Sequence, residues 1–146
     1  MLRKISTFIF ESIRVGDDVE AFKNKNSSQP EDEFVFICFH SPTTDQRTIS
    51  LAVRSAIAKL GKIDSKFIHA ESSFRDLSSL PFWRWCGDSG SVTTRFIETI
   101  ELELGCRFTE SQLRYATVTD PDENPLLLVR DFIREFYTWY ESLETH

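Results

Sequence analysis

The sequence predicts an all-α fold: a four-helix bundle, with three longer helices and one short one, over residues 43–146, preceded by an N-terminal extension over residues 1–42. Three observations lead there. Apolar residues recur at three- and four-residue spacing in three stretches of the bundle region, the pattern of helices with one buried face. Each stretch opens on a capping pattern, and two of them close on glycine. The strand-like run Phe34-Val-Phe-Ile-Cys-Phe39 has no obvious second strand to pair with.

Taken in order, residues 1–13 place Leu2, Ile5, Phe8, Ile9 and Ile13 at helical spacing, a short amphipathic helix. Residues 16–33 are polar, with little to bury beyond Val19 and Phe22, and read as a linker. The apolar run 34–39 is either a short strand or a buried helical turn, because periodicity does not separate the two at this length. The extension either packs back over the bundle or mediates dimerisation. Thr43 with Gln46 makes a capping box for a first helix over about 45–60, whose stripe is Ile49, Ala52, Val53, Ala56, Ile57 and Leu60, stopped at Gly61. A long loop follows with apolar anchors from Ile63 to Leu80, and a loop of that length is functional or holds short elements of its own. Asp88, Ser89 and Ser91 are N-cap candidates for a second helix over about 91–104, with stripe Val92, Phe96, Ile97, Ile100 and Leu104 and stop Gly105. Thr109 with Gln112 opens a short third helix through Ala116. After the turn cluster 119–125, Asn124 and Pro125 start the last helix, with Leu128, Val129, Phe132, Ile133, Phe136 and Tyr140 on its buried face.

The 146 residues include 13 Phe, 3 Trp and 3 Tyr, and 40% are hydrophobic, ample for one core and incompatible with wholesale disorder. A net charge of −6 argues against a nucleic-acid binder that neutralises phosphates and favours a basic partner surface. Three cysteines (Cys38, Cys86, Cys106) without a CxxC indicate neither a disulfide framework nor a structural zinc site, so reduced thiols and a cytoplasmic location are expected. No stretch approaches the roughly 20 apolar residues of a membrane span. His40 and His69 lack metal-ligand spacing and read as local hydrogen-bonding residues.

Gly87-Asp88-Ser89-Gly90 is the string that surrounds the nucleophile of chymotrypsin-like proteases, but a triad needs a base and an orienting carboxylate, and the strands of a double barrel are missing. No catalytic residue is expected. From Ile49 to Tyr140 the order of elements instead resembles the acyl carrier protein family. The resemblance rests on Ala58-Lys-Leu-Gly-Lys-Ile-Asp64, on Ile68-His-Ala-Glu-Ser-Ser-Phe-Arg-Asp-Leu77, and on Phe96-Ile-Glu-Thr-Ile-Glu-Leu-Glu-Leu-Gly-Cys-Arg-Phe108. It implies a 4′-phosphopantetheine arm on the serine of an Asp-Ser motif, here Ser89, with Ser91 as the alternative. A helix N-terminus suits a phosphodiester, because free N–H groups and the positive dipole end meet it there. The resemblance also implies a phosphopantetheinyl transferase and acyl-transferring or synthase enzymes as partners. Their basic patches would meet Glu98, Glu101 and Glu103.

The sequence departs from the family in two places. Residues 78–87, including Phe82-Trp-Arg-Trp85, separate Asp76-Leu77 from Asp88-Ser89, and Gly90 stands where a Leu is usual. Trp83 and Trp85, two apart, share a face in an extended segment and either seal a core or offer a groove to an acyl chain or partner. Without the flanking resemblance, Ser89 and Ser91 are ordinary helix caps and the glutamates a solvated face. A carrier fold that has lost its arm and binds protein partners is the second reading.

Overall fold

The computed structural model describes residues 16–80 and 91–144, and among these residues every regular element is helical. The helices are α1 (16–25), α2 (Glu31–Cys38), α3 (Thr44–Gly61), α4 (Phe74–Leu77), α5 (Ser91–Leu104), α6 (Glu110–Arg114) and α7 (Val129–Glu144), with a 3-10 turn at Ser65–Phe67. None of them is long and apolar enough to cross a membrane. The N-terminal helix expected over 1–13 lies outside the described residues.

The capping boxes form as their spacing predicts. Gln46 N–H donates to Thr43 Oγ1 (3.1 Å) while the Gln46 side chain accepts from Thr43 N–H (2.9 Å), and Thr109 with Gln112 repeats the arrangement at α6. Inside the long loop, Ser73 and Asp76 make a third box that opens α4. Of the two glycines expected to stop a helix, Gly105 does so and Gly61 is the last residue inside α3. Gly105 takes the left-handed conformation (φ 66°) that glycine adopts without strain. Gly61 does not: Lys62 occupies the left-handed position (φ 55°). At Gly61 a Cβ would lie 2.7 Å from Leu80 Cδ1, so a side chain there would require the Leu80 methyl to move.

Three expectations are corrected and one that the sequence left open is decided. Residues 16–33 are not simply a linker, because 16–25 form α1, which buries Val19 and Phe22 on one face. The apolar run 34–39, open between strand and helical turn in the sequence, is helical through Cys38 as part of α2, whose first turn carries Glu31, Asp32 and Glu33 against the positive dipole end. Phe34, Val35 and Cys38 then fall on one buried face. The last helix starts at Val129 rather than at Pro125. The carbonyls of Pro125 and Leu127 instead accept from Arg75 N–H (2.7 Å) and Phe74 N–H (3.0 Å), donors left open at the start of α4. Val129 and Arg130, in the first turn of α7, donate their open N–H groups to the Ser72 and Ala70 carbonyls (2.8 and 2.9 Å), so residues 125–128 are held by the loop and the helix begins only after them. The short third helix ends at Arg114, two residues before Ala116.

α3 packs chiefly against α5, and α2 lies against both α3 and α7. The described part of the extension therefore packs back onto the bundle and shares its core. Two arginines secure it. Arg54 of α3, 2% exposed, donates from Nε to the Ile68 carbonyl (3.1 Å) and from Nη2 to the carbonyls of Gln29 (2.6 Å) and Lys66 (3.3 Å). Its guanidinium lies 4.5 Å from the Phe34 ring centroid. Buried Gln29 adds a second stitch, its side-chain oxygen accepting from Ala70 N–H at 3.0 Å. On the opposite flank, Arg134 of α7 donates to the Cys38 and Ile37 carbonyls (2.7 and 3.0 Å), capping the negative end of α2 with a cation.

Replacing Arg54 by Leu keeps much of the volume but orphans three carbonyls, so chemical denaturation is expected to show a loss of about 3 kcal/mol. Arg54→Lys recovers little of it, because an ammonium cannot reproduce the planar fork. A loss below about 1 kcal/mol for Arg54→Leu would contradict this account.

Candidate functional site

Ser89, Trp83 and Trp85 lie outside the described residues, as does Cys86. Ser91 is the first residue of α5. What the structure defines is the surrounding architecture. α5 turns Val92, Phe96 and Ile100 into the core, so the helix face beside that stripe is available to line a site.

That face borders a cavity of about 510 Å³ between α5, α6, α7 and the connection 115–121. Its apolar lining comes from Ile97, Phe108, Val118, Phe132, Phe136 and Trp139. The rings form a connected system: Phe96 stacks on Phe132 (5.0 Å), Phe132 on Phe136 (6.0 Å), and Phe108 meets Trp139 edge-on (4.8 Å). Polar residues ring the opening, among them Thr93, Glu98, Arg107, Glu110 and Asp120. The volume falls within the roughly 300–1,000 Å³ of small-molecule sites, and an apolar interior with a few polar groups at its edge is their usual composition. A smaller pocket of about 130 Å³ lies beside it near the first turn of α5, lined by Arg75, Ser78, Val92 and Asp122 among others. Both volumes have Thr93 and Pro121 in their walls.

The three glutamates proposed for partner contact have different environments. Glu98 is exposed at the cavity edge. Glu101 is half-buried and accepts from Phe108 N–H at 2.8 Å, holding the turn after α5 against the helix. Glu103 pairs with Lys59 of α3, on the seam between those helices, and keeps only 18% of its side chain exposed. The structure thus brings Glu98 and Glu101 together at the cavity and leaves Glu103 elsewhere.

The described thiols are poorly suited to nucleophilic work. Burial pushes the Cys38 thiol up to about 12, against the lowering influence of Arg134, and burial also raises Cys106, beside Glu101. His69 Nε2 meets the Ser27 carbonyl and His40 packs edge-on against Phe36, so both histidines act locally. No group of three His, Cys, Asp or Glu is placed to hold a metal among the described residues.

The sequence reading did not include Trp139 in the buried face of the last helix. It is 4% exposed and continues Phe132 and Phe136 at i+7, whereas Leu128 and Tyr140 are only half-buried. The spacing 132, 136, 139 was the signal. Thr93 and Asp120 were also missed, because nothing in the sequence announces a contact across 27 positions.

No family model, curated protein or solved structure matches the chain.

Removal of the Glu101 carboxylate should be felt in stability and that of Glu98 should not. Glu101→Ala leaves Phe108 N–H without its acceptor and is expected to cost about 1–2 kcal/mol in urea unfolding. Glu98→Ala should stay within about 0.5 kcal/mol. Equal effects would show that Glu101 is no more structural than an exposed residue.

Proposed function

We propose that the chain is an acyl-carrier-like module that tethers an acyl or peptidyl group on a 4′-phosphopantetheine arm and presents it to partner enzymes. The observation that carries this reading is the position of the apolar cavity. It is walled by Thr93, Thr94 and Ile97, on the helix that Ser91 opens and that Ser89 precedes by two residues. A group tethered at either serine would begin at the N-terminus of that helix, within reach of a shelter for its apolar portion. The element order supports the same reading: a long α3 closing on Leu60-Gly61, a loop with a short helix at Phe74–Leu77, then α5, short α6 and apolar α7.

The residues present fit the arm. A phosphodiester at the start of α5 would meet the positive end of the helix dipole. Arg75 and Ser78 line the small pocket beside that first turn and supply a cation and a hydroxyl. The arm's own thiol would supply the thioester linkage, so the raised thiols of the chain are no obstacle. The gain from tethering is an effective concentration at the partner's site rather than any chemistry by the module.

One observation favours the second reading, a carrier fold that binds partners without an arm. The outward face of α5 carries exposed Glu98 and, one turn on, Leu102 at 81% exposure. An acid beside an exposed leucine is a composition that suits a partner with a basic rim and an apolar contact. Exposed Leu102 serves either reading.

Intact-mass measurement separates them. After incubation with coenzyme A and a phosphopantetheinyl transferase, the chain is expected to gain the mass of one phosphopantetheine arm, and Ser89→Ala should abolish the gain. Loss of the gain in Ser91→Ala instead would move the attachment to Ser91. No gain with several transferases would overturn the carrier reading and leave the partner-binding one.

A further inference from the structure

The cavity between α5, α6 and α7 joins two chemistries in one place. Its floor is aromatic: Phe108, Phe136 and Trp139 are buried and meet one another edge-on, Phe108 lying 6.1 Å from Phe136 and 4.8 Å from Trp139, and Phe136 5.5 Å from Trp139. Its rim is acidic. Glu98 and Glu101 come from α5, Glu110 from α6 and Asp120 from the connection that follows, so carboxylates of three segments border one opening. Among the described residues, Arg107 is the only cation in that wall.

The balance of charge decides what the opening selects. Glu110 already pairs with Arg114 at 3.3 Å on the exposed side of α6. That leaves Glu98, Glu101 and Asp120 against Arg107, an excess of two negative charges. The fold holds two of these carboxylates in place. Phe108 N–H donates to Glu101 Oε2 (2.8 Å), while Thr93 Oγ1–H (2.7 Å) and Asp122 N–H (2.9 Å) both donate to Asp120 Oδ1. In each case the bonds end on one oxygen and leave the other open to a ligand. Glu98 is exposed at the edge and has no ion-pair partner among the described residues.

Carboxylates beside ring faces are the chemistry that binds an amine. An ammonium gains charge-assisted hydrogen bonds from the oxygens and attraction from the negative ring faces, and an apolar body attached to it fills the space behind. The position of the head group follows from the helix. Thr93 and Thr94 lie in the first turn of α5, where the dipole adds about half a positive charge, so an ammonium is better placed farther along, at Glu98 and Glu101.

We propose that this cavity binds a lipophilic amine, with its ammonium at Glu98 and Glu101 and its apolar body against the rings of Phe108, Phe136 and Trp139. A volume of about 510 Å³ admits a body the size of a naphthalene ring system. The inference goes beyond the carrier reading and does not rest on it. A free amine and a tethered tail would exclude each other, so the amine would compete with the carried group.

The full chain without an arm is sufficient for the test, so failure of the carrier reading would leave its outcome untouched. Binding of dansylcadaverine, a naphthalene dye ending in an ammonium, is followed by its fluorescence rise. It is compared with the N-acetylated dye, which keeps the body but is neutral, and with dansyl aminocaproate, which ends in a carboxylate. The cation is expected to bind about tenfold more tightly than the neutral dye, the scale of one hydrogen bond to a charged group, and the anion more weakly than either. Glu98→Gln, a change at an exposed position, should remove most of that advantage and leave the neutral dye unaffected. Arg107→Gln should tighten the cation about threefold, the scale of an exposed charge pair. Intermolecular NOEs from the dimethylamino protons of the dye should reach Trp139 and Ile97. The proposal would be overturned by absence of binding, by equal affinity of cation and neutral dye, or by tighter binding of the anion. A cation advantage that neither variant changes, or a bound dye without contacts to Trp139 and Ile97, would overturn it as well.

Discussion

The aromatic column along α7 is the constraint on which the rest of the structure depends. Phe132 and Phe136 are 1% and 0% exposed, and each touches rings from elsewhere in the chain: Phe74 of α4 and Phe96 of α5 on Phe132, and Phe108 on Phe136. Short helices such as α4 and α6 do not hold themselves together, because so few residues cannot offset the cost of helix nucleation. They exist because the column and the loop carbonyls give them something to dock on. The same rings that close the core also line the cavity, so fold and candidate site share one set of residues. A large-to-small change in the column would therefore weaken both together.

What the sequence revealed, and what it concealed, follows from the range of the interactions involved. α3, α5 and α6 were legible because their signals are local: a threonine with glutamine three residues on, an apolar stripe, a glycine at the end. α1 was hidden because its 10 residues bury only Val19 and Phe22, too thin a stripe to stand out from a polar segment. The start of α7 was misplaced because Pro125 does look like a first helical residue. Its carbonyl was claimed by Arg75, 50 positions upstream, and no local pattern encodes that. Gly61 was expected to stop the first helix, but it is the last residue of α3 and Lys62 is the left-handed cap; what lies close to Gly61 is the Leu80 side chain. Of the candidate site, the acidic helix was visible in the sequence, while the cavity was not. A cavity depends on where α6 and the 115–121 connection leave α7 uncovered, and that is a property of three segments at once.

Buried polar groups explain why the extension belongs to the core. Arg54 is fully desolvated and fixed by backbone carbonyls of residues 29, 66 and 68, while Gln29 reaches back to Ala70. Burying a cation is costly unless its donors are matched, and here they are matched by both the extension and the long loop. The position of the loop that leads toward α5 thereby depends on the segment before α3. Removing that segment would leave a buried guanidinium short of acceptors and would loosen the approach to the candidate site. The extension is structurally part of the core, tied to α3, to α7 and to the loop at residues 66–70.

The central claim is that the cavity between α5, α6 and α7 shelters the tail of a tethered acyl group. The most direct measurement is an isotope-filtered NMR experiment on the chain carrying a ¹³C-labelled octanoyl group on its arm. The account predicts cross-peaks from the terminal methylene and methyl protons to the rings of Phe136 and Trp139 and to the Ile97 side chain. An octanoyl chain whose terminal protons show no contact with those residues, or a chain that accepts no arm at all, would contradict it.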